Sequence, residues 1–310
     1  MPRDLLGLDI GASATKAVRC TPGGEVLAHT KWESVPEGHD PLEHLRTEAG
    51  AFCPDPAATG VAICGLIAPD GSTMVHAPNA RPLEHLPYRD ALAGGGPVRL
   101  LNDAKAFMYA EFRCGAAQGM RHVLGLTLGT GVGGGLILGG ELHLGAHGWP
   151  GEIGHIPLDP DGPLCLCGLR GCLEAYNGAA RVTEAYNLQL TDPRSRVRSV
   201  RAVIDRAGVG DPDALAIWER YGERLGMACA RAITLLDLEA LVLGGGVAAA
   251  YDYFIDVLME TLRGGLTRFD ERGLAVRRAA LGPLAGAIGA ALWAAAGDGP
   301  PAAGHTSAFG

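Results

Sequence analysis

Nowhere in this sequence do about 18 apolar residues run together, so no membrane-spanning helix is expected. No block of basic residues occurs either, and the net charge is −8, which leaves no electrostatic footprint for nucleic acid. The opening MPRDLLGLDI lacks the pattern of a signal peptide. Eight cysteines scattered through 310 residues do not make a disulfide framework, so a reducing cytoplasm and metal use are expected instead. What remains is ordinary material for a buried core, 47% apolar and 19% charged, in a chain long enough to favour two lobes.

Glycine is the abnormal component, with 47 residues gathered at Gly7–Gly11, Gly125–Gly140 and Gly244–Gly246. Each tract follows or interrupts a short apolar strand. Glycine at strand ends points to backbone brought close to a ligand.

In chain order, Asp4–Ile10 reads as a buried strand and Gly11–Lys16 as a turn. Strands Thr15–Thr21 and Glu25–Trp32 join through Pro22-Gly23-Gly24. Helix Pro41–Phe52 precedes strand Ala58–Gly65, a loop through Pro69, Pro78 and Asn79, and a weak helix at Tyr88–Leu92. Strand Val98–Leu101 leads to Asn102-Asp103, where Asp103 is placed to cap helix Ala104–Cys114.

The pattern then restarts. Leu6–Gly11 and Leu124–Gly129 align at an offset of 118 residues, each followed by a turn of small residues, a return strand and a Gly-Gly-Glu turn. The later strand Ala240–Leu243 ends in Gly244 as the strand before Gly65 ends in glycine. These agreements predict a duplicated α/β fold, two lobes facing a cleft, with glycine turns whose N–H groups suit phosphate. The remainder reads as helices over Asn177–Asn187, Val197–Ala207, Asp213–Leu236, Tyr251–Leu262 and Ala279–Ala296, the last broken early by Gly282-Pro283. The division expected is residues 1–117, residues 118–280, a helix over 281–296 packing back on the first lobe, and a disordered tail over 297–310.

The densest chemistry lies in Gly148–Glu174, where His155, Cys165, Cys167 and Cys172 sit between the carboxylates Glu152 and Glu174. Three cysteines within eight residues beside a histidine have zinc-ligand spacing, and a Cys₃His set makes a closed tetrahedral site. Asp9, at a strand end beside the Gly11–Lys16 turn, can hold Mg²⁺ or simply cap the turn. The run Leu128–Gly135 gives a second phosphate turn or a tight hairpin, and Gly244–Gly246 suits an adenosine lying across backbone. Asp103, at a strand-to-helix junction, is either a general base or a helix cap, with Asn102 beside it to bond a polyol. Glu152, His155 and Glu174 offer two acceptors and a ring nitrogen to sugar hydroxyls.

These motifs resemble the ROK family of sugar kinases and sugar-responsive repressors, on the actin/hexokinase-like (ribonuclease H-like) ATPase fold. The resemblance runs from about Asp4 to Ala296 and is most specific at GEIGH (151–155) and CLCGLRGCLE (165–174). LGTGVGGG (128–135), NDA (102–104) and LVLGGGVA (241–248) agree in order and spacing. It implies a hexokinase-type transfer from Mg·ATP to a hexose hydroxyl, O6 of glucose first. Asp9, Ser13, Thr130 and Gly131 would meet the ATP phosphates, with Gly11 and Lys16 bounding the first turn and Gly244–Gly245 near the adenosine. Asp103 would be the base, and Asn102, Glu152, His155 and Glu174 would bind the sugar, with Gly65 lining its pocket. His155, Cys165, Cys167 and Cys172 would hold structural Zn²⁺. A cytoplasmic homodimer is implied as well.

Departures from the family pattern matter. Its first turn usually reads Asp-x-Gly-Gly-Thr, whereas Ala12 and Ser13 stand here. Ala12 weakens nucleotide binding if that position needs φ > 0. Polyphosphate-using relatives also carry Ser there but lack the zinc motif. The loop after Asn79 lacks the tryptophan of glucose-specific members, leaving other hexoses, N-acetylhexosamines, amino sugars and cyclitols as alternative acceptors. A repressor without its DNA-binding domain is the competing class, disfavoured because the first strand begins at Asp4.

Overall fold

A computed structural model describes residues 3–68, 70–77 and 80–297. The expected tail beyond Gly297 lies outside the described residues, as do Pro69, Pro78 and Asn79 of the expected loop. By its internal contacts the chain forms two units. The first holds the described residues up to Gly119, Gly135–Pro150 and the described residues from Ala280 onward; the second holds Met120–Gly134 and Gly151–Ala279.

In the first unit, β1 (Leu5–Ile10), β2 (Ala14–Cys20) and β3 (Val26–Glu33) form an antiparallel meander. Helix α1 (Pro41–Phe52) starts where Asp40 accepts the N–H of Glu43, with proline at its first position, and leads to β4 (Ala58–Ile63). The small pair β5 (Leu66–Ile67) and β6 (Met74–His76), then α2 (Tyr88–Ala91), precede β7 (Val98–Asn102) and α3 (Asp103–Cys114). The sheet order is β3-β2-β1-β4-β7, with β1, β4 and β7 parallel.

Strands β8 (Val123–Leu128), β9 (Val132–Leu138) and β10 (Glu141–Leu142) follow. The helices α4 (Glu174–Asn177), α5 (Ala179–Asn187), α6 (Val200–Gly208) and α7 (Pro212–Leu236) lead to β11 (Ala240–Gly244). Then come α8 (Tyr251–Gly265), α9 (Phe269–Arg272), β12 (Ala275–Arg278) and α10 (Ala285–Ala295). The second sheet has the order β10-β9-β8-β11-β12, with β8, β11 and β12 parallel. Hairpin, central strand and two parallel strands recur in the same order as in the first sheet. β1 and β8, like β2 and β9, start 118 residues apart, at Leu5 and Val123 and at Ala14 and Val132. The α/β fold is duplicated.

Small residues account for the packing of α10. A Cβ at Gly7 of β1 would overlap Ala287 O, and one at Gly60 of β4 would overlap Ala290 O. A Cβ at Gly289 would overlap Ala106 O of α3. The Ala/Gly composition of α10 therefore lets backbone meet backbone against β1, β4 and α3, and burial of its faces follows.

Several element ends differ from the sequence reading. Asn102, not Asp103, caps α3: its Oδ1 accepts from Ala104 N at 3.1 Å and Lys105 N at 3.3 Å, and Asp103 is the first helical residue. The helix expected from Asn177 is two, separated by Gly178 in extended conformation (φ −63°, ψ 144°). Helix α6 begins three residues late because Ser199 caps it. Gly135–Pro150 groups with the first unit although it lies beyond residue 118. No described helix is long and apolar enough to cross a membrane.

Candidate functional site

One cluster of the expected residues stands at the ends of β1, β4 and β7, in the first unit. Antiparallel pairing sets Asp9 directly opposite Lys16, so both side chains leave the same face, and Lys16 Nζ donates to Asp9 Oδ2 at 2.9 Å. The connecting turn closes with Gly11 N to Ala14 O at 3.1 Å, leaving Ala12 and Ser13 exposed. Ala12 is not among the residues with positive φ, so its methyl brings no backbone strain to this turn. Buried Ser34, which sequence reading missed, clamps the turn. Its Oγ donates to Gly11 O at 2.7 Å, and its N–H donates to Ser13 O at 3.2 Å. Gly286 of α10 is a second omission; a Cβ there would come within 3.1 Å of the Asp9 carboxyl carbon.

Asn102 and Ile63 pair across β7 and β4, which brings Gly65, Asn102 and Asp103 together. Asn102 Nδ2 donates to Gly65 O at 3.2 Å, so the cap residue also fixes the glycine. Gly65 has φ +116°, and a Cβ there would overlap His76 O; only glycine fits. Asp103 Oδ1 accepts from Ala104 N at 2.9 Å. Shielding from water, and then the charge of Asp9, push the Asp103 carboxyl up to about 6. A buried carboxylate with a raised pKa, its second oxygen Oδ2 not used by that bond, has the character of a general base.

A separate cluster, in the second unit, is built on β8, β11 and the segment from Gly151 to Gly178. Gly129 N donates to Gly131 O at 3.0 Å, which closes the second turn and leaves Thr130 exposed. Glu174, the first residue of α4, reaches this turn: its Oε2 accepts from Val132 N at 2.9 Å, and any Cβ on Gly131 would overlap that oxygen. Ala179 N donates to Gly129 O at 3.0 Å, tying the start of α5 to the same turn. Gly245, with φ +88°, lies against the end of β8, where a Cβ would overlap Leu128 O. Gly244 and Gly245 are thus adjacent to the strand that feeds the Gly129–Gly131 turn. The Glu174 clamp and the role of Gly178 were invisible in sequence spacing.

His155 ends a short 3₁₀ turn, Ile153–His155, preceded by exposed Glu152. The following loop folds back on itself through Leu158 N to Gly171 O at 2.7 Å and Cys165 N to Leu169 O at 2.8 Å. Gly168 and Gly171, at φ +92° and +65°, permit those reversals. The ligand atoms of His155, Cys165, Cys167 and Cys172 all lie within 4.8 Å of one another. His155 Nδ1 is 3.7 Å from Cys165 Sγ, and Cys167 Sγ is 3.6 Å from Cys172 Sγ. Tetrahedral Zn²⁺ with bonds of about 2.0 Å to nitrogen and 2.3 Å to sulfur places its donors roughly 3.5–3.8 Å apart. The set fits zinc, and 3.6 Å is far beyond a disulfide bond.

Known proteins resemble this chain along most of its length. A glucokinase from Thermotoga maritima is 30% identical over 283 residues, 84% of this chain and 87% of that protein. An N-acetylmannosamine kinase from Haemophilus influenzae is 32% identical over 296 residues, 93% of this chain and 94% of that protein. The crystal structure of a ROK family glucokinase from Streptomyces griseus, in complex with glucose and AMPPNP, matches with a TM-score of 0.80 at 29% identity. That match covers 95% of this chain and 100% of the other. The ROK family pattern itself extends over residues 5–296, from β1 through α10, and the chain with this duplicated fold and Cys₃His loop belongs to the ROK family.

Proposed function

We propose that this sugar kinase transfers the γ-phosphate of ATP to a hexose hydroxyl, O6 of glucose, with Asp103 as general base. The observation that carries the reading is Asp103 itself, raised to about 6 beside Asp9 at the β7–α3 junction, where its Oδ1 accepts from Ala104 N. In this reading Asp103 accepts the hydroxyl proton as the oxygen attacks in line. Ser13, Thr130 and the N–H groups of the Gly11 and Gly131 turns receive phosphate oxygens, and Gly244–Gly245 lie along the adenosine. Asp9 would hold Mg²⁺ directly or through water, and Lys16 adds positive charge to the same turn. Mg²⁺ bound there supplies charge neutralisation on the phosphates.

Asn102 has one amide N–H to spare, and Glu174 has a second oxygen. Together with Glu152 and the Nε2 of His155 they would bind the sugar hydroxyls, while Gly65 leaves room beside them. His155, Cys165, Cys167 and Cys172 would hold zinc, which in a four-ligand site supplies rigidity and no open position. We read the working form as a cytoplasmic homodimer without a nucleic-acid partner.

The similarity to an N-acetylmannosamine kinase favours a second reading in which the acceptor is an N-acetylhexosamine or another polyol. ADP release measured over hexoses, N-acetylhexosamines and cyclitols decides between them. Glucose turnover well above the others supports the first reading, and preference for an acetylated sugar overturns it. Polyphosphate in place of ATP tests the donor.

A further inference from the structure

Two buried hydroxyl groups that take no part in the reaction proposed above stand behind the turn between β1 and β2. Ser34 follows the last residue of β3, and Thr15 lies on β2; both are buried. Thr15 Oγ1 and Ser34 Oγ are 2.9 Å apart. Ser34 Oγ is also 2.7 Å from Gly11 O, an atom that can only accept, so the one hydroxyl hydrogen of Ser34 goes to that carbonyl. Ser34 Oγ must then accept from Thr15. The chain of hydrogen bonds therefore has a direction, from the Thr15 hydroxyl to the Ser34 hydroxyl to the Gly11 carbonyl.

Ser34 grips the turn at a second point, where its N–H donates to Ser13 O at 3.2 Å. Gly11 and Ser13 thus both present their carbonyls to Ser34. A trans peptide is planar, with C=O and N–H on opposite edges, so the amides of the same two planes, those of Ala12 and Ala14, point away from Ser34. Ser34 is buried while Ala12 and Ser13 are exposed, so the Ala12 amide is directed from the buried side of the turn to the open one. The bond from Gly11 N to Ala14 O fixes the peptide before Gly11, and the Ser34 hydroxyl fixes the one after it. Backbone N–H groups directed outward from a turn in this way receive anionic oxygens.

We propose that Ser34, backed by Thr15, is a positioning residue for the nucleotide: it draws the Gly11 and Ser13 carbonyls inward and so aims the Ala12 and Ala14 amides at phosphate oxygens of ATP. The proposal rests on the reading of this turn as an ATP phosphate turn. It assigns the shape of the turn to a side chain 23 residues from Gly11 that does not itself touch the nucleotide.

The test is steady-state kinetics of Ser34→Ala in the full chain, with ATP and sugar varied separately, beside calorimetric titration with AMPPNP. The KM for ATP and the Kd for AMPPNP are expected to rise roughly three- to tenfold, the worth of one hydrogen bond. The sugar KM, and kcat at saturating ATP, are expected to stay within about twofold of wild type, a split that a general loss of packing would not give. Thr15→Val keeps the shape and removes the donor to Ser34. It should raise the same two constants by a smaller factor, and it decides the matter if Ser34→Ala does not fold. In the double variant the Thr15→Val effect should disappear, because both hydroxyls act through Gly11 O. Unchanged ATP KM and AMPPNP affinity in the folded variants, or ATP and sugar KM rising together, overturns the proposal. A wild-type protein that does not bind AMPPNP overturns the ATP reading itself, so the wild-type titration tells the two failures apart.

Discussion

Glu174 Oε2 accepts the backbone N–H of Val132 at 2.9 Å, so a carboxylate from the segment that follows the cysteine loop holds the turn Gly129–Gly131 in shape. In the proposed site the same side chain would also bind sugar. Removing it with Glu174→Ala leaves a charge-assisted hydrogen bond unmade, worth about 1.5–3 kcal/mol, or roughly 10- to 150-fold. The KM for ATP should rise along with the KM for sugar. A change confined to the sugar KM would mean that the turn keeps its form without Glu174.

The pH dependence follows from Asp103. Its carboxyl is raised from 3.8 to about 6, and a general base acts only when ionised. The value of kcat/KM should therefore be full above about pH 6 and fall tenfold per unit below it. Asp9→Asn removes the second cause of the shift and should move the remaining acid limb to lower pH. The stability sign is opposite: folded Asp103 binds its proton more tightly than the unfolded chain does. On this group's account stability is greater at low pH and declines as pH rises from 3.8 to about 6. An acid limb near pH 4 in wild type would contradict the assignment.

Metal content tests the cysteine loop. Elemental analysis should find one zinc per chain, lost in the double variant Cys165→Ser, Cys167→Ser. With zinc gone, the loop that carries His155 and leads into Glu174 loosens, so Tm should fall and the sugar KM rise about tenfold or more. Zinc retained in the double variant, or none in the wild type, would remove the brace from the mechanism.

Gly245 offers a backbone test. With φ +88° and Leu128 O where a Cβ would stand, Gly245→Ala combines strain with overlap. A loss of about 1–3 kcal/mol of stability is expected, with a weaker ATP affinity in whatever folds. Gly246→Ala, where nothing lies within 4 Å of the added Cβ, is the control and should be near neutral.

Much of this was legible in the sequence because it rests on local pattern. The apolar runs of β1 and β8 and the recurrence of Leu6–Gly11 at Leu124–Gly129 gave the duplication, and Asp40-Pro41 marked the start of α1. Metal-ligand spacing gave the Cys₃His cluster. Features set by tertiary contact were not legible. β12 is short and carries two arginines, so its pairing with β11 has no apolar signature. Asn102 and Asp103 are both good caps, and only the turn geometry decides between them. Ser34 reaches Gly11 across the hairpin, and Glu174 reaches Val132 from 42 residues away; neither spacing is a motif.

The central claim, that Asp103 is the base of this sugar kinase, is tested most directly by Asp103→Asn. The amide keeps the shape but cannot accept the proton, so kcat should fall roughly 10²- to 10⁴-fold while sugar binding, measured by calorimetry, stays near wild type. Turnover at the wild-type rate in a folded, sugar-binding Asp103→Asn protein would contradict it.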